Sequence, residues 1–327
     1  MRKNDFYKHL PINIGFITIL FLSSNLAQAQ RLSLTGSLGA SGYKGDLQNA
    51  GHNSVAKPDF SLGAAYDITN RYRIRLNLSA LSVSGDDLNS NNLGKRERDL
   101  SFKSQIQEAA LMGEYDLVDN SFNSIIPYIF GGISVYHFDP HPLRSIDSLG
   151  DVDLHSIGTE GQYLPGGKYA DRQYSLTQLN IQLGGGIRFE ISERISIALE
   201  ANYRKLFTDY LDDISTNSYI SNQEWQAGIT AAGGPKTALG HRLQLAEDYS
   251  WRATNTKGIS EPIPQFIDPK LSPADLYPRG NPANNDAYYS FQIRVNIRLN
   301  ALRGGDDLYS PRNPGGRGQL KCAKRVF

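Results

Sequence analysis

The amino-acid sequence predicts an all-β protein: an eight-stranded antiparallel transmembrane β-barrel with four long outer loops, short periplasmic turns and a flexible C-terminal tail. Three observations lead there. Apolar residues recur at every second position in eight separate runs, the period of a strand with one apolar face. The links between these runs alternate short and long, as periplasmic turns and outer loops do in such barrels. The one continuous apolar stretch lies at the N terminus and is too short to be a spanning helix, which needs roughly 20 residues.

That stretch has the anatomy of a secretory signal peptide. Arg2, Lys3 and Lys8 precede an apolar segment from Ile12 to Leu22, broken by Asn13, Gly15 and Thr18, and Ala27-Gln28-Ala29 follows as a small-x-small cleavage pattern. Residues 1–29 are expected to be removed, leaving a barrel over 30–300 and a periplasmic tail over 301–327. By itself this leaves a soluble exported protein and an outer-membrane barrel open, and excludes an inner-membrane helical protein. Three of the 34 basic and one of the 33 acidic residues fall in 1–29, so 31 bases face 32 acids in the remainder. Nothing in that balance points to nucleic acid.

The first run places Leu32, Leu34, Leu38 and Ala40 on one face; the second Phe60, Leu62, Ala64, Tyr66 and Ile68; the third Tyr72, Ile74, Leu76, Leu78 and Ala80. Ala109, Leu111, Gly113, Tyr115 and Leu117 make the fourth. The fifth, "PYIFGGISVYHF" from Pro127, is apolar on both faces, so its orientation is open. Leu179, Ile181, Leu183, Ile187 and Phe189 make the sixth, Ile195, Ile197, Leu199, Ala201 and Tyr203 the seventh, and Tyr289, Phe291, Ile293, Val295, Ile297 and Leu299 the eighth. Only "DITNR", "VDNSFNS" and "ISER" join the second to the third, the fourth to the fifth and the sixth to the seventh. The other links run over about 44–57, 84–99, 139–171 and 208–286. A soluble sandwich gives no reason for that alternation. Tyr66, Tyr72, Tyr115 and Phe189 sit near the tight turns, where aromatic side chains suit a headgroup boundary.

The opposite faces are polar and would point into the lumen. An eight-stranded barrel is just wide enough for its own side chains to fill. Because buried charges are tolerated only when paired, Glu108, Glu114 and Glu200 are expected to lie against some of Arg75, Arg188, Arg204 and Arg294. The interior then reads as a neutralised polar plug. Glycines in "GSLGASG" (36–42) and "GGG" (184–186) lie inside strands with no phosphate-loop lysine after them. There they allow bending or leave room for a bulky lumen neighbour.

Candidate chemistry is sparse. Asp209, Asp212 and Asp213 in "DYLDD" lack the spacing and glycine of a calcium loop and are expected to form a solvated, hydrogen-bonded loop base where the chain leaves the bilayer. His137, Asp139 and His141 in "HFDPH" share one side of an extended segment and offer a weak transition-metal pattern. No Ser, His and Asp arrangement argues for a hydrolase, no cofactor motif is present, and an enzyme is the minority reading. After Leu299 the alternation stops. Six basic and two acidic residues follow, among them Arg317, Lys321, Lys324 and Arg325, with the single cysteine, Cys322. A lone thiol in an oxidising periplasm can pair with another chain or serve no purpose.

Several stretches together resemble the small outer-membrane β-barrel family of the Bacteroidetes, which includes the PorG-type barrel of the type IX protein secretion system. They are "MGEYDL" (112–117), "PYIFGGISVYHFDP" (127–140), "IGTEGQYLPG" (157–166), "GGGIRFEI" (184–191), "YRKLFTDYLDDIS" (203–215) and "RGNPANNDAYYSF" (279–291). The resemblance implies a non-enzymatic barrel seated in outer-membrane lipid. For the PorG type it also implies periplasmic partners, a lipoprotein and protein ring of the secretion machinery, with the basic tail and Cys322 as the part that reaches them. The alternatives are a small-solute porin and a surface-binding barrel of unknown ligand.

Overall fold

Alternation survives residue by residue. In β1 (Leu32–Lys44) Leu34 and Leu38 stand outward, while the alternating Ser33, Thr35, Ser37 and Ser41 are buried. The same division runs through β2 (Lys57–Asp67), β3 (Tyr72–Asp86), β4 (Ser101–Asp116), β5 (Ile125–His141), β6 (Thr177–Glu190), β7 (Ile195–Leu206) and β8 (Ala287–Arg298). The computed structural model describes residues 31–47, 55–90, 93–119, 123–144, 152–250 and 279–299. Each strand pairs antiparallel with the next and β8 closes on β1, so no strand edge is left open. Apolar side chains outside and polar ones inside mark hydrocarbon as the outer solvent, in which only a closed hydrogen-bond ladder satisfies every backbone group. This is an integral outer-membrane barrel. Among the described residues no helix is long and apolar enough to cross a membrane.

The outward apolar positions on β6 run from Leu179 to Phe189. Ten residue steps give about 33 Å of strand, and a tilt of roughly 35–45° brings that close to the 25 Å height of such a band. The β2–β3 and β6–β7 turns share one device. Thr69 Oγ1 accepts from the Arg71 and Tyr72 amides at 3.2 and 3.0 Å, and Ser192 Oγ from the Arg194 and Ile195 amides at 3.3 and 3.1 Å. These side chains stand in for backbone acceptors in a tight turn.

β5 takes the orientation its sequence left open. Ile125, Ile129, Ile133 and Val135 face lipid; Tyr128, Phe130, Tyr136 and Phe138 face the lumen. The glycines of β6 explain the choice. Gly184 is the register partner of Phe130 and Gly186 of Tyr128, and a Cβ at either would overlap the facing ring. The strands also extend beyond their expected ends: β3 runs to Asp86 and β5 to His141, while β6 begins only at Thr177. The third outer loop is therefore 142–176, because the β4–β5 ladder continues to the Lys103–His141 pair.

The outer loops hold short helices that strand alternation does not foretell: α1 (Leu93–Arg98), α2 (Leu154–Ile157), α3 (Asn222–Ala231) and α4 (Ala238–Ser250). Leu154, Ile157, Trp225, Ile229, Leu243 and Ala246 bury against one another and make a small apolar core for this cap. Ser221 caps α3 by accepting from the Glu224 amide. A second apolar core of Tyr43, Phe102, Tyr136, Phe138, Leu206, Leu211 and Tyr288, among others, fills the outer mouth of the barrel beneath the loops.

Candidate functional site

Two polar centres are stacked along the barrel, one inside the lumen and one beneath the cap. In the lumen, β4 contributes Glu114, whose carboxylate meets four guanidinium groups: Arg73 at 3.1 Å, Arg75 at 3.3 Å, Arg188 at 2.5 Å and Arg294 at 3.1 Å. Glu200 from β7 lies 2.6 Å from Arg75 and 2.9 Å from Arg294, and accepts from the Tyr128 hydroxyl at 2.7 Å. Glu108 accepts from Arg204 at 3.1 Å, Tyr288 at 2.6 Å and Asn180 at 3.0 Å. The structure thus gathers Arg75, Glu114, Arg188, Glu200 and Arg294 into one cluster, to which it adds Arg73 and Tyr128, and sets Glu108 with Arg204 and Tyr288 in a second. The aromatic rings do double duty: Arg188 and Arg294 each lie 5.4 Å from the Tyr128 ring, and Arg204 5.1 Å from that of Tyr288. A buried charge is costly unless its lone pairs and protons are met, and these carboxylates meet theirs partly on adjacent strands, as Glu114 does with Arg73, and partly across the lumen, as Glu114 does with Arg188 and Arg294 and Glu108 with Arg204. The two clusters therefore tie the barrel wall across its diameter and fill the bore.

Beneath the cap the structure corrects one expectation. Asp209, Asp212 and Asp213 do not form a solvated base; they are 6%, 1% and 1% exposed. The cause lies beside them in sequence: Leu211, between Asp209 and Asp212, and Ile214, just after Asp213, anchor in the apolar core of the barrel mouth and draw the acids in. Asp213 adopts a left-handed backbone, φ 63°, and turns its carboxylate toward Thr159 and Tyr174, which donate at 2.5 and 2.7 Å. Glu160 accepts from Arg279 at 2.6 Å, from the Ser215 and Thr216 amides at 3.0 Å each, and from Tyr210 at 3.1 Å. Arg279 also donates to Thr159 at 2.7 Å, and its carbonyl accepts from Arg98, whose fork grips Asp87 at 2.7 and 2.8 Å. Three stretches set far apart in sequence, "GTEGQ", "FTDYLDD" and "RGNP", thus meet in one knot.

On the other side of Asp213 the balance is acidic. Asp46, Asp212 and Asp286 come together around Tyr43, with Asp209 beside them. The Tyr43 hydroxyl lies 2.5 Å from Asp212 and 3.1 Å from Asp286. A phenol has one proton to give, so Tyr43 serves Asp212 at the shorter distance and leaves Asp286 the weaker share. Burial and the charges of Asp286 and Asp46 push Asp209 up to about 9. Burial, reinforced by Asp46, holds Asp212 and Asp286 well above the usual carboxylate range. Asp213 rises only to about 6, because Arg279 and its two hydroxyl donors offset burial. These groups hold protons where ordinary carboxylates have lost them.

No nucleophile and base are paired in this arrangement, and among the described residues no group of three His, Cys, Asp or Glu could hold a metal ion. His137, Asp139 and His141 do share the outer face of β5. Four residues of strand put the two histidines about 13 Å apart. His141 lies 3.0 Å from Asp139, and His137 lies 2.9 Å from the Thr177 hydroxyl. The weak metal pattern therefore does not close into a site. Arg317, Lys321, Cys322, Lys324 and Arg325 lie outside the described residues, as do residues 1–29.

No curated protein matches the chain. Among solved structures, Neisserial surface protein A is similar at 8% identity and a TM-score of 0.36, covering 82% of this chain and 97% of that one. The attachment invasion locus protein Ail of Yersinia pestis is similar at 8% identity and a TM-score of 0.35, with 82% and 97% covered. A major outer-membrane protein of Thermus thermophilus is similar at 10% identity and a TM-score of 0.35, with 81% and 98% covered. Values this low transfer no function. A family model does match over residues 13–228, from the N-terminal region through all but the last strand. The chain belongs to the family described as a domain of unknown function, DUF6089.

Proposed function

We propose that this protein is a non-enzymatic outer-membrane barrel that acts as an assembly component of the type IX protein secretion machinery, anchoring a periplasmic lipoprotein and protein ring. The observation that carries the anchoring role is the filled lumen. With Glu114 held by four arginines and aromatic side chains stacked above it, the bore offers solutes no path, and what is left to such a barrel is its surfaces and its ends. β8 ends at Arg298 on the side of the tight turns, so the basic segment with Arg317, Lys321, Cys322, Lys324 and Arg325 begins at the periplasmic face. The secretion assignment rests on the resemblance of "GTEGQ", "FTDYLDD" and "GNP" to the small outer-membrane barrel family of the Bacteroidetes, which includes the PorG-type barrel.

Two measurements test this reading. Planar-bilayer recording of the purified barrel should give no steady ohmic conductance; a stable open level would replace the anchor with a small-solute pore. Pull-down without reductant should recover a periplasmic protein cross-linked through Cys322 that Cys322→Ser loses. Recovery of monomer alone, with a free thiol, would remove the disulfide from the proposal.

A further inference from the structure

Lys44 at the end of β1 and Lys205 near the end of β7 are both register partners of Ala287, the first residue of β8. The three form one row across β1, β8 and β7 on the lipid-facing side. Both lysines are exposed, whereas Ala287 between them is buried. Two strand spacings separate the lysine backbones by about 9.6 Å.

The height of this row is fixed by the strand itself. From Ile297, an exposed apolar residue near the periplasmic end of β8, to Ala287 is ten residue steps, about 33 Å of strand. At barrel tilt that is close to the full 25 Å of the apolar band, which puts the ammonium groups at the headgroup level of the outer leaflet. The next row inward pairs Tyr203 with Tyr289, and the exposed Phe291 follows below it. Aromatics at this depth form a shelf where acyl chains meet headgroups.

The charge on this face is unbalanced. The outward positions of β7, β8, β1 and β2 carry no acid, and neither lysine side chain has a hydrogen bond or ion pair among the described residues. The opposite face differs, since there Lys103 is the register partner of His141, with Asp139 two residues away. Lone lysines near a membrane boundary often only extend their ammonium groups into water. Two of them flanking a small residue, above an aromatic shelf and with no paired anion among the described residues, make a cationic seat that a phosphate satisfies through charge-assisted hydrogen bonds.

We propose that Lys44 and Lys205 clamp a phosphate of a phosphorylated glucosamine lipid of the outer leaflet, the lipid A class, with its acyl chains lying on Phe291, Ile293 and Leu38. The seat is independent of the secretion role. It is tested by native mass spectrometry of the detergent-purified full chain with diphosphoryl lipid A, dephosphorylated lipid A or phosphatidylglycerol. Diphosphoryl lipid A should be retained, and the Lys44→Gln/Lys205→Gln double variant should retain about tenfold less. Lys103→Gln and the Lys44→Arg/Lys205→Arg variant should retain it as the parent does. A shift in gel mobility on heating verifies that each variant is a folded barrel. Equal retention by parent and double Gln variant, or equal retention of either comparison lipid, would overturn the proposal.

Discussion

Arg279 and Glu160 are 119 residues apart in sequence and 2.6 Å apart in space, the guanidinium 3% exposed and the carboxylate fully buried. That contact joins the third outer loop to the segment leading into β8. Around it Thr159, Asp213 and Arg98 are drawn into the same knot. Breaking a buried pair by removing one partner strands the other charge and costs about 3–5 kcal/mol. Arg279→Met should therefore release the cap: limited proteolysis between 157 and 220 should accelerate, while the heat-induced gel shift of the barrel stays as it was. Unchanged cleavage would mean the knot is redundant.

Glu114 predicts the opposite division. Glu114→Gln removes the anion shared by Arg73, Arg75, Arg188 and Arg294, and the loss should again be on the order of 3–5 kcal/mol. Here the barrel suffers. Its thermal unfolding midpoint should fall, with proteolysis of the cap unaffected below that midpoint.

The buried acids predict how the cap responds to pH. Asp209 is pushed up to about 9 and Asp213 to about 6 from an ordinary 3.8, so the folded cap binds more protons than the unfolded loop between those values. Stability from this source is complete below 3.8. It declines as pH rises, up to about 6 for Asp213 and about 9 for Asp209, and is then flat. Amide hydrogen exchange in α3 and α4 should therefore quicken, beyond its intrinsic pH dependence, from neutral to alkaline pH. Asp209→Asn should flatten that response between pH 6 and 9; an identical profile in the variant would assign the protons elsewhere.

Gly184 offers a packing test. A Cβ there meets the Phe130 ring and the Ala201 carbonyl, so Gly184→Ala should lower the denaturant midpoint of the barrel by an amount typical of overpacking, about 1–3 kcal/mol. Relief by Phe130→Leu should be partial, because the carbonyl is backbone and does not yield.

Alternation determined the barrel by itself. With a period of two, each strand's facing follows from its own residues, and the short and long links assign the two ends; hence Leu34, Leu76 and Leu199 face outward as their spacing requires. The lumen acids and arginines were legible for the same reason, since one inward face per strand leaves them few partners. Three things belonged to tertiary structure. β5 is apolar on both faces, and only the space opposite Gly184 and Gly186 decides which rings turn inward. The cap carried a local signal in Ser221-x-x-Glu224 before Trp225 and Ile229, yet its core needs α2, α3 and α4 together. The acids of "DYLDD" read as solvated because charge is cheap in water, and they are buried because the adjoining Leu211 and Ile214 find an apolar core that no local pattern discloses.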